Sequence, residues 1–156
     1  MKALEKLKKY SESGKYVFHG SPNGGIEVFK PRQAYNWNEK GEKIPDGKPA
    51  VFATEVLDIA IFFALFNHQT MPIKNSIFSF DYKDDGRYFL KASQNKIDYF
   101  TNNLVQGWVY VFDKEDFFSR GDKSGEMVSE KRVKPVDVVL VQNDDLEKEV
   151  LVRDVL

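Results

Sequence analysis

Residues 50–63, AVFATEVLDIAIFF, predict a strand that passes directly into a helix. The strand covers residues 49–53, and Thr54 is a good N-cap for a helix over residues 55–66. Asp58 lies near the first turn of this helix, where its negative charge suits the helix dipole. Nearly every position of the helix is apolar, so we expect it to be buried on most of its faces.

The stretches on either side of this unit are mostly of β type. Helices are predicted at residues 2–12 and 93–104, and strands at residues 16–19, 76–82, 108–112 and 136–141, with weaker strands at 126–131 and 149–153. Residues 30–49 contain three prolines and two glycines and predict a long loop. This order predicts an α+β fold of mostly antiparallel sheets, with one buried helix after the second strand.

The composition restricts the class of protein. With 156 residues and no internal repeat or linker, the chain is expected to form a single domain over residues 1–156. The net charge of −1 gives no global attraction to nucleic acid or to an anionic membrane. The chain has no cysteine and two histidines, so disulfides are excluded and no metal site is expected. The longest apolar run, residues 59–66, is too short to span a bilayer, and we expect a cytoplasmic protein.

His19 ends the first predicted strand, and Gly20 and Ser21 follow it directly, as His19-Gly20-Ser21. Gly20 has no Cβ, so a ligand can approach its backbone N–H and C=O closely. This pair of groups suits a planar carboxamide, with the polar side chains of His19 and Ser21 on either side. The residues alone leave open a strand-end histidine that is hydrogen-bonded in a turn.

Two aromatic residues and one acid are the other candidates. Phe52 and Phe63 are separated by ten residues of strand, turn and helix, so both rings can face one slot and stack on a heteroaromatic ring. Phe62 replaces Phe63 if the helix is rotated by one position. Glu126 lies at the head of a predicted strand, after a glycine-containing loop, and Glu130 is the competing acid.

Together, these three segments resemble the ADP-ribosyltransferase superfamily, in the branch of the diphtheria-type toxins and the poly-ADP-ribose polymerases. That branch has a His-Gly-Thr/Ser strand, a Tyr-x10-Tyr strand-helix unit and a late catalytic glutamate. The matching positions are His19-Gly20-Ser21, Phe52-x10-Phe63 and Glu126, in the same order. The resemblance implies split antiparallel sheets around an NAD cleft, and a toxin-like transferase of the glycosyltransferase class.

The resemblance also implies roles for these residues. The nicotinamide of NAD+ would lie between Phe52 and Phe63, its carboxamide would pair with the backbone of Gly20, and His19 would hold the adenine-side ribose. Ser21 would add a polar contact to the nicotinamide or its ribose.

The same resemblance gives Glu126 the catalytic role, since its carboxylate would stabilise an oxocarbenium-like transition state. Arg32 would contact a phosphate of NAD+. No metal is needed, and the acceptor can be a protein, a nucleic acid or a small molecule.

Two departures from the family pattern leave alternatives open. Both tyrosines are phenylalanines here, which keeps the stacking surface and removes two hydroxyl groups. Ser124 stands two residues before Glu126, where the family has Glu or Gln. The alternatives are a catalytically inactive ADP-ribosyltransferase-like module that binds NAD or a partner, and an RNA 2′-phosphotransferase-like enzyme.

Overall fold

A computed structural model describes residues 2–82, 87–121, 125–147 and 151–154 of the chain. Within these ranges the elements are α1 Ala3–Ser13, β1 Tyr16–Ser21, β2 Tyr35–Trp37, β3 Lys43–Pro45, β4 Val51–Thr54, α2 Leu57–Leu65, β5 Phe78–Tyr82, β6 Tyr88–Ser93, α3 Gln94–Asn102, β7 Gln106–Asp113, β8 Phe118–Ser119, β9 Glu126–Ser129, β10 Asp137–Gln142 and β11 Leu151–Asp154. This is an α+β protein, as the sequence predicts.

Two larger sheets and one small hairpin organise the described strands. The six-stranded sheet has the order β10-β7-β1-β4-β9-β8, and every neighbouring pair in it is antiparallel. The three-stranded sheet has the order β11-β6-β5, in which β11 is parallel to β6. Strands β2 and β3 pair only with each other among the described strands.

The middle of the six-stranded sheet is covered on both faces. Along β7, Val109 and Val111 pack into the cluster that contains helix α2, whereas Tyr110 and Phe112 belong to a second cluster on the opposite face. This alternation follows from the two-residue period of a strand. Because both faces are buried, β7 is apolar almost throughout.

Helix α2 packs unusually close to the sheet, because glycines on β1 and β7 face it. A Cβ built on Gly20 would lie 1.9 Å from the carbonyl oxygen of Ala60, and one on Gly107 would lie 2.1 Å from that of Ala64. The main chain of the helix therefore fills the space that two side chains would need. The packing also explains why α2 is apolar on nearly all sides: only Asp58 and Phe63 of its nine residues are not buried.

Two predictions at the level of elements are wrong, and one strand was missed. Helix α2 begins at Leu57 rather than at residue 55, because Thr54 pairs in β4 and its hydroxyl accepts a hydrogen bond from the Val56 N–H within a turn. The predicted loop over residues 30–49 contains the β2–β3 hairpin. Strand β6 was not predicted at all, and it pairs with β5 from Tyr88 to Ala92.

Several other predictions concern residues at the margins of the described ranges. Residues 149 and 150 of the predicted strand 149–153, and Ser124, lie outside the described residues.

No helix within the described part of the chain is long and apolar enough to cross a bilayer. The same part of the chain contains no cluster of three or more side chains that could hold a metal ion.

Candidate functional site

A cleft opens where β1 and β4 separate. The two strands share one registered pair, Phe18↔Thr54, and beyond it β1 continues along β7 alone. The cleft has a volume of about 330 Å³. Its lining residues are Phe18, His19, Gly20, Pro22, Phe52, Ala53, Thr54, Ile59, Ala60, Phe63, Asn67, Phe80 and Glu126.

His19 bridges the gap between the two separating strands. Its Nδ1 lies 2.7 Å from the carbonyl oxygen of Phe52, and because a carbonyl only accepts, Nδ1 carries the proton. Burial lowers the pKa of the imidazole below 6.5, and the hydrogen bond to Phe52 partly opposes this shift. The ring is therefore neutral at pH 7, which makes its Nε2 a hydrogen-bond acceptor.

Gly20 and Ser21 lie in different surroundings, although they are neighbours in β1. Gly20 lines the cleft, but the side on which its Cβ would lie faces Ala60 of helix α2. The packing of α2 on the sheet thus requires a glycine at this position, whether or not a ligand approaches it. Ser21 is buried, its hydroxyl accepts a hydrogen bond from the Asn23 N–H, and it lines a neighbouring cavity rather than this cleft.

Phe52 and Phe63 both line the cleft, one from β4 and the other from α2. The rings make no contact with each other. Phe63 is held edge-on by Phe78 and Phe80 of β5, at centroid distances of 5.9 and 5.8 Å. Phe62, the alternative to Phe63, is fully buried and stacks on Phe66 at 4.7 Å, so it does not reach the cleft.

Glu126 reaches the cleft from the first position of β9. It pairs with Thr54 in register, and Thr54 pairs with Phe18, so Glu126 lies two strands from β1, or roughly 10 Å. The side chain of Glu126 is about one-third exposed. Glu130, the competing acid, is exposed beyond the end of β9 and lines a separate cavity of about 270 Å³.

Arg120 is a charged neighbour of the cleft that the sequence did not single out. Its Nη1 lies 2.9 Å from Glu126 Oε1, and its Nη2 lies 3.1 Å from Asp46 Oδ1. Its guanidinium carbon lies 5.6 Å from the centroid of the Phe52 ring. The hydrogen bonds to Glu126 and Asp46 raise the pKa of Arg120 above its usual value.

A second cavity of about 620 Å³ adjoins the cleft. The two share His19, Pro22 and Phe52 in their linings. Arg32 lines this second cavity and not the cleft, and it is placed there by two backbone hydrogen bonds with Ala50. Arg32 therefore shares a cavity with His19 but not with Glu126.

The apolar wall of the cleft is also more extensive than the sequence indicated. Phe80 lines the cleft because β5 packs its aromatic residues against Phe63. The alternating pattern of residues 76–82 predicted the strand but gave no sign of which element it would face. Asn67 lines the cleft too, where its amide nitrogen donates to the carbonyls of Phe63 and Ala64 at the end of α2.

Comparison of the chain with protein-family models, with curated proteins and with solved structures gives no match.

Proposed function

We propose that the protein transfers an ADP-ribosyl group from NAD+ to an acceptor, on a fold of the ADP-ribosyltransferase type. The observation in favour is that one cleft is lined by His19, Gly20, Phe52, Phe63 and Glu126, which come from three separate segments of the chain. These are the positions that resemble the three motifs of the family. The volume of about 330 Å³ lies within the range of small-molecule sites.

In the proposed complex, the nicotinamide ring occupies the space between Phe52 and Phe63. Each ring offers a stacking contact of about 1 kcal/mol. The carboxamide pairs with the backbone of Gly20, and the neutral Nε2 of His19 accepts a hydrogen bond from a ribose hydroxyl. The adjoining cavity of about 620 Å³ takes the rest of the dinucleotide, with Arg32 beside its phosphates.

In the proposed reaction, the bond between the nicotinamide nitrogen and the ribose C1 breaks, and both electrons leave with neutral nicotinamide. The ribose develops oxocarbenium character, and the carboxylate of Glu126 stabilises this positive charge. A nucleophile of the acceptor then forms the new bond to C1 and loses its proton to solvent. The apolar wall of Ile59, Ala60 and Phe63 excludes water from the reacting bond.

A second candidate function is a module that binds NAD without turning it over. It is favoured by the two phenylalanines, because a pocket that only stacks the nicotinamide needs no hydroxyl at these positions. Binding without nicotinamide release distinguishes this module from the enzyme.

The test is nicotinamide release from NAD+ by the parent protein, with NAD+ affinity measured by calorimetry. Glu126→Gln is expected to lower kcat by about 100- to 1,000-fold and to leave affinity nearly unchanged, since it removes charge stabilisation in the transition state. Glu130→Gln is the matched control and is expected to resemble the parent. If Glu130→Gln is the inactive variant, the assignment of the acid is wrong, and if the parent neither binds nor cleaves NAD+, the proposal fails.

A further inference from the structure

Arg120 connects three parts of the molecule beside the cleft, and its own side chain lines the separate cavity of about 270 Å³ rather than the cleft. One guanidinium bonds Glu126 on β9 and Asp46 beside the hairpin, and it lies over the ring of Phe52 on β4. The side chain is 28% exposed, so more than two-thirds of it is covered by these partners and their neighbours. Such a fork is more specific in geometry than a point charge, because its nitrogens have fixed directions.

Asp46 is itself held firmly. Its backbone N–H donates to the carbonyl of Ala34 at 2.9 Å, across the base of the β2–β3 hairpin. The following residue, Gly47, has φ of +70°, and a Cβ built on it would lie 3.3 Å from Arg120 Nη2. A glycine at this position lets the chain turn and lets the guanidinium lie against it. The hairpin thus supplies an anchored carboxylate for Arg120.

Glu126 needs such a partner because of its place in the sheet. It is the first residue of β9, it follows Gly125 at φ of +73°, and its side chain is one-third exposed. A long acidic side chain at a strand end has many rotamers, and fixing one costs entropy. An ion pair with an anchored guanidinium restricts Glu126 before substrate binds.

We propose that Arg120 is a positioning residue for the reaction: it holds the carboxylate of Glu126 at the mouth of the cleft and is itself held by Asp46. This role rests on the proposed function, since it concerns the orientation of the group that stabilises the transition state. Arg120 acts through Glu126 and Phe52 and does not itself contact NAD+.

The kinetic test compares Arg120→Ala, Arg120→Lys and Asp46→Asn with the parent in nicotinamide release. Arg120→Ala is expected to lower kcat by about 10- to 100-fold, since a misplaced reacting group costs about that much. KM for NAD+ should change by no more than about fivefold, which corresponds to the loss of the cation–π contact between Arg120 and Phe52. Arg120→Lys should be intermediate, and Asp46→Asn should show a smaller loss of kcat. Added guanidinium ion should restore part of the activity of Arg120→Ala and leave the parent unchanged.

Lys131→Ala is the matched control, because it removes the ion pair with Asp116, at 3.1 Å, outside the cleft. It is expected to leave kcat unchanged. If Arg120→Ala retains the kcat of the parent, Arg120 positions nothing. If it raises kcat, the ion pair holds Glu126 away from NAD+. Either result overturns the proposal.

A measurement without turnover separates this role from the proposed function. In the parent, the side-chain NH signals of Arg120 in nitrogen-15 NMR should show restricted rotation, and removing both carboxylates, Glu126→Ala together with Asp46→Ala, should release it. Signals that are mobile in both proteins overturn the ion pair and hence the role of Arg120, whatever the activity. Restricted signals in a parent that does not cleave NAD+ leave the ion pair standing and overturn both the proposed function and the catalytic role of Arg120.

Discussion

The packing of helix α2 on the sheet gives the sharpest prediction about stability. A Cβ added at Gly20 would lie 1.9 Å from the carbonyl oxygen of Ala60 and 2.6 Å from the backbone nitrogen of Ala64, whereas ordinary contacts begin at 3.4 Å. Both neighbours are main-chain atoms of one helix, so no side-chain rotation relieves the overlap. Helix α2 must move outward by about 1.5 Å, or β1 must bend.

Gly20→Ala is therefore expected to destabilise the protein by about 3 kcal/mol, the upper end of the usual cost of overpacking. In a chain of this length that corresponds to a fall in Tm of roughly 6–12 °C. The measurement is urea unfolding followed by circular dichroism, with Tm measured in parallel. Gly107→Ala should cost a similar amount, because its Cβ would lie 2.1 Å from the carbonyl oxygen of Ala64.

Gly25→Ala is the control, since its Cβ would meet only Asn23 Oδ1, at 3.6 Å. It should change the free energy of unfolding by less than about 0.5 kcal/mol. If Gly20→Ala is as stable as Gly25→Ala, the close approach of α2 to β1 is wrong. The same comparison matters for function, because a loss of activity in Gly20→Ala has to be separated from a loss of the folded state.

Three further predictions concern buried bases and the cleft. Lys96 is fully buried, its Nζ donates a hydrogen bond to the carbonyl of Phe66, and burial lowers its pKa below 10.5. The folded protein therefore loses this proton at a lower pH than the unfolded chain does. In urea titrations, the free energy of unfolding of the parent should rise relative to that of Lys96→Met as pH increases toward 10.5. A slope of the opposite sign would contradict the burial of a charged amine. Burial also lowers the pKa of His19, so the unfolded chain binds a proton on this imidazole before the folded protein does as pH drops. The free energy of unfolding of the parent should therefore fall relative to that of His19→Gln below pH 6.5. Parallel plots of stability against pH for the two proteins would show an unshifted imidazole. Phe63→Leu should weaken NAD+ binding by about 2- to 10-fold in calorimetry, whereas Phe62→Leu should lower Tm and leave the affinity of the folded protein unchanged; equal effects on affinity would refute the stacking role.

The strand-helix unit could be predicted from sequence because its signals are local. A short β-type run and a nearly all-apolar segment determine β4 and α2 without reference to the rest of the chain. The start of the helix could not be placed, because Thr54 serves equally well as an N-cap or as the last strand residue. The pairing of Thr54 with Glu126 of β9 decides between these roles, and that pairing is a tertiary contact.

The hairpin and strand β6 were missed for a related reason. Both strands of the hairpin are exposed throughout, so they lack the apolar alternation by which a strand is recognised. Strand β6 is defined by its pairing with the preceding strand, β5, and this pairing is a tertiary contact rather than a local sequence signal. The class of the fold survived these errors because the buried elements determine it.

The residues of the candidate site also divide into those that the sequence could indicate and those that only the structure reveals. The family resemblance indicated Glu126 and left Glu130 as the competing acid, and the structure places only Glu126 in the lining of the cleft. The choice between Phe62 and Phe63 needed the rotation of α2. Arg120 could not be found, because an arginine in an exposed loop usually has no specific partner. Arg120 stands out only through its contacts with Asp46, which lies 74 positions away in the chain, and with Phe52.

The chemistry of the cleft is divided between its two walls. The sheet supplies the groups that can bond a ligand, His19 from β1 and Glu126 from β9, whereas α2 and β5 supply Phe63 and Phe80. Asn67 adds no free amide, since its nitrogen donates to α2 and its oxygen accepts from two backbone N–H groups. The sheet also supplies Phe52 from β4, so a ligand that fits must present apolar faces to Phe52 and Phe63 and hydroxyl or amide groups to His19 and Glu126. Nicotinamide riboside has flat apolar faces and such polar groups, and it follows from the proposed roles that substitutions of Phe52 and Phe63 should act mainly on affinity and those of Glu126 mainly on kcat.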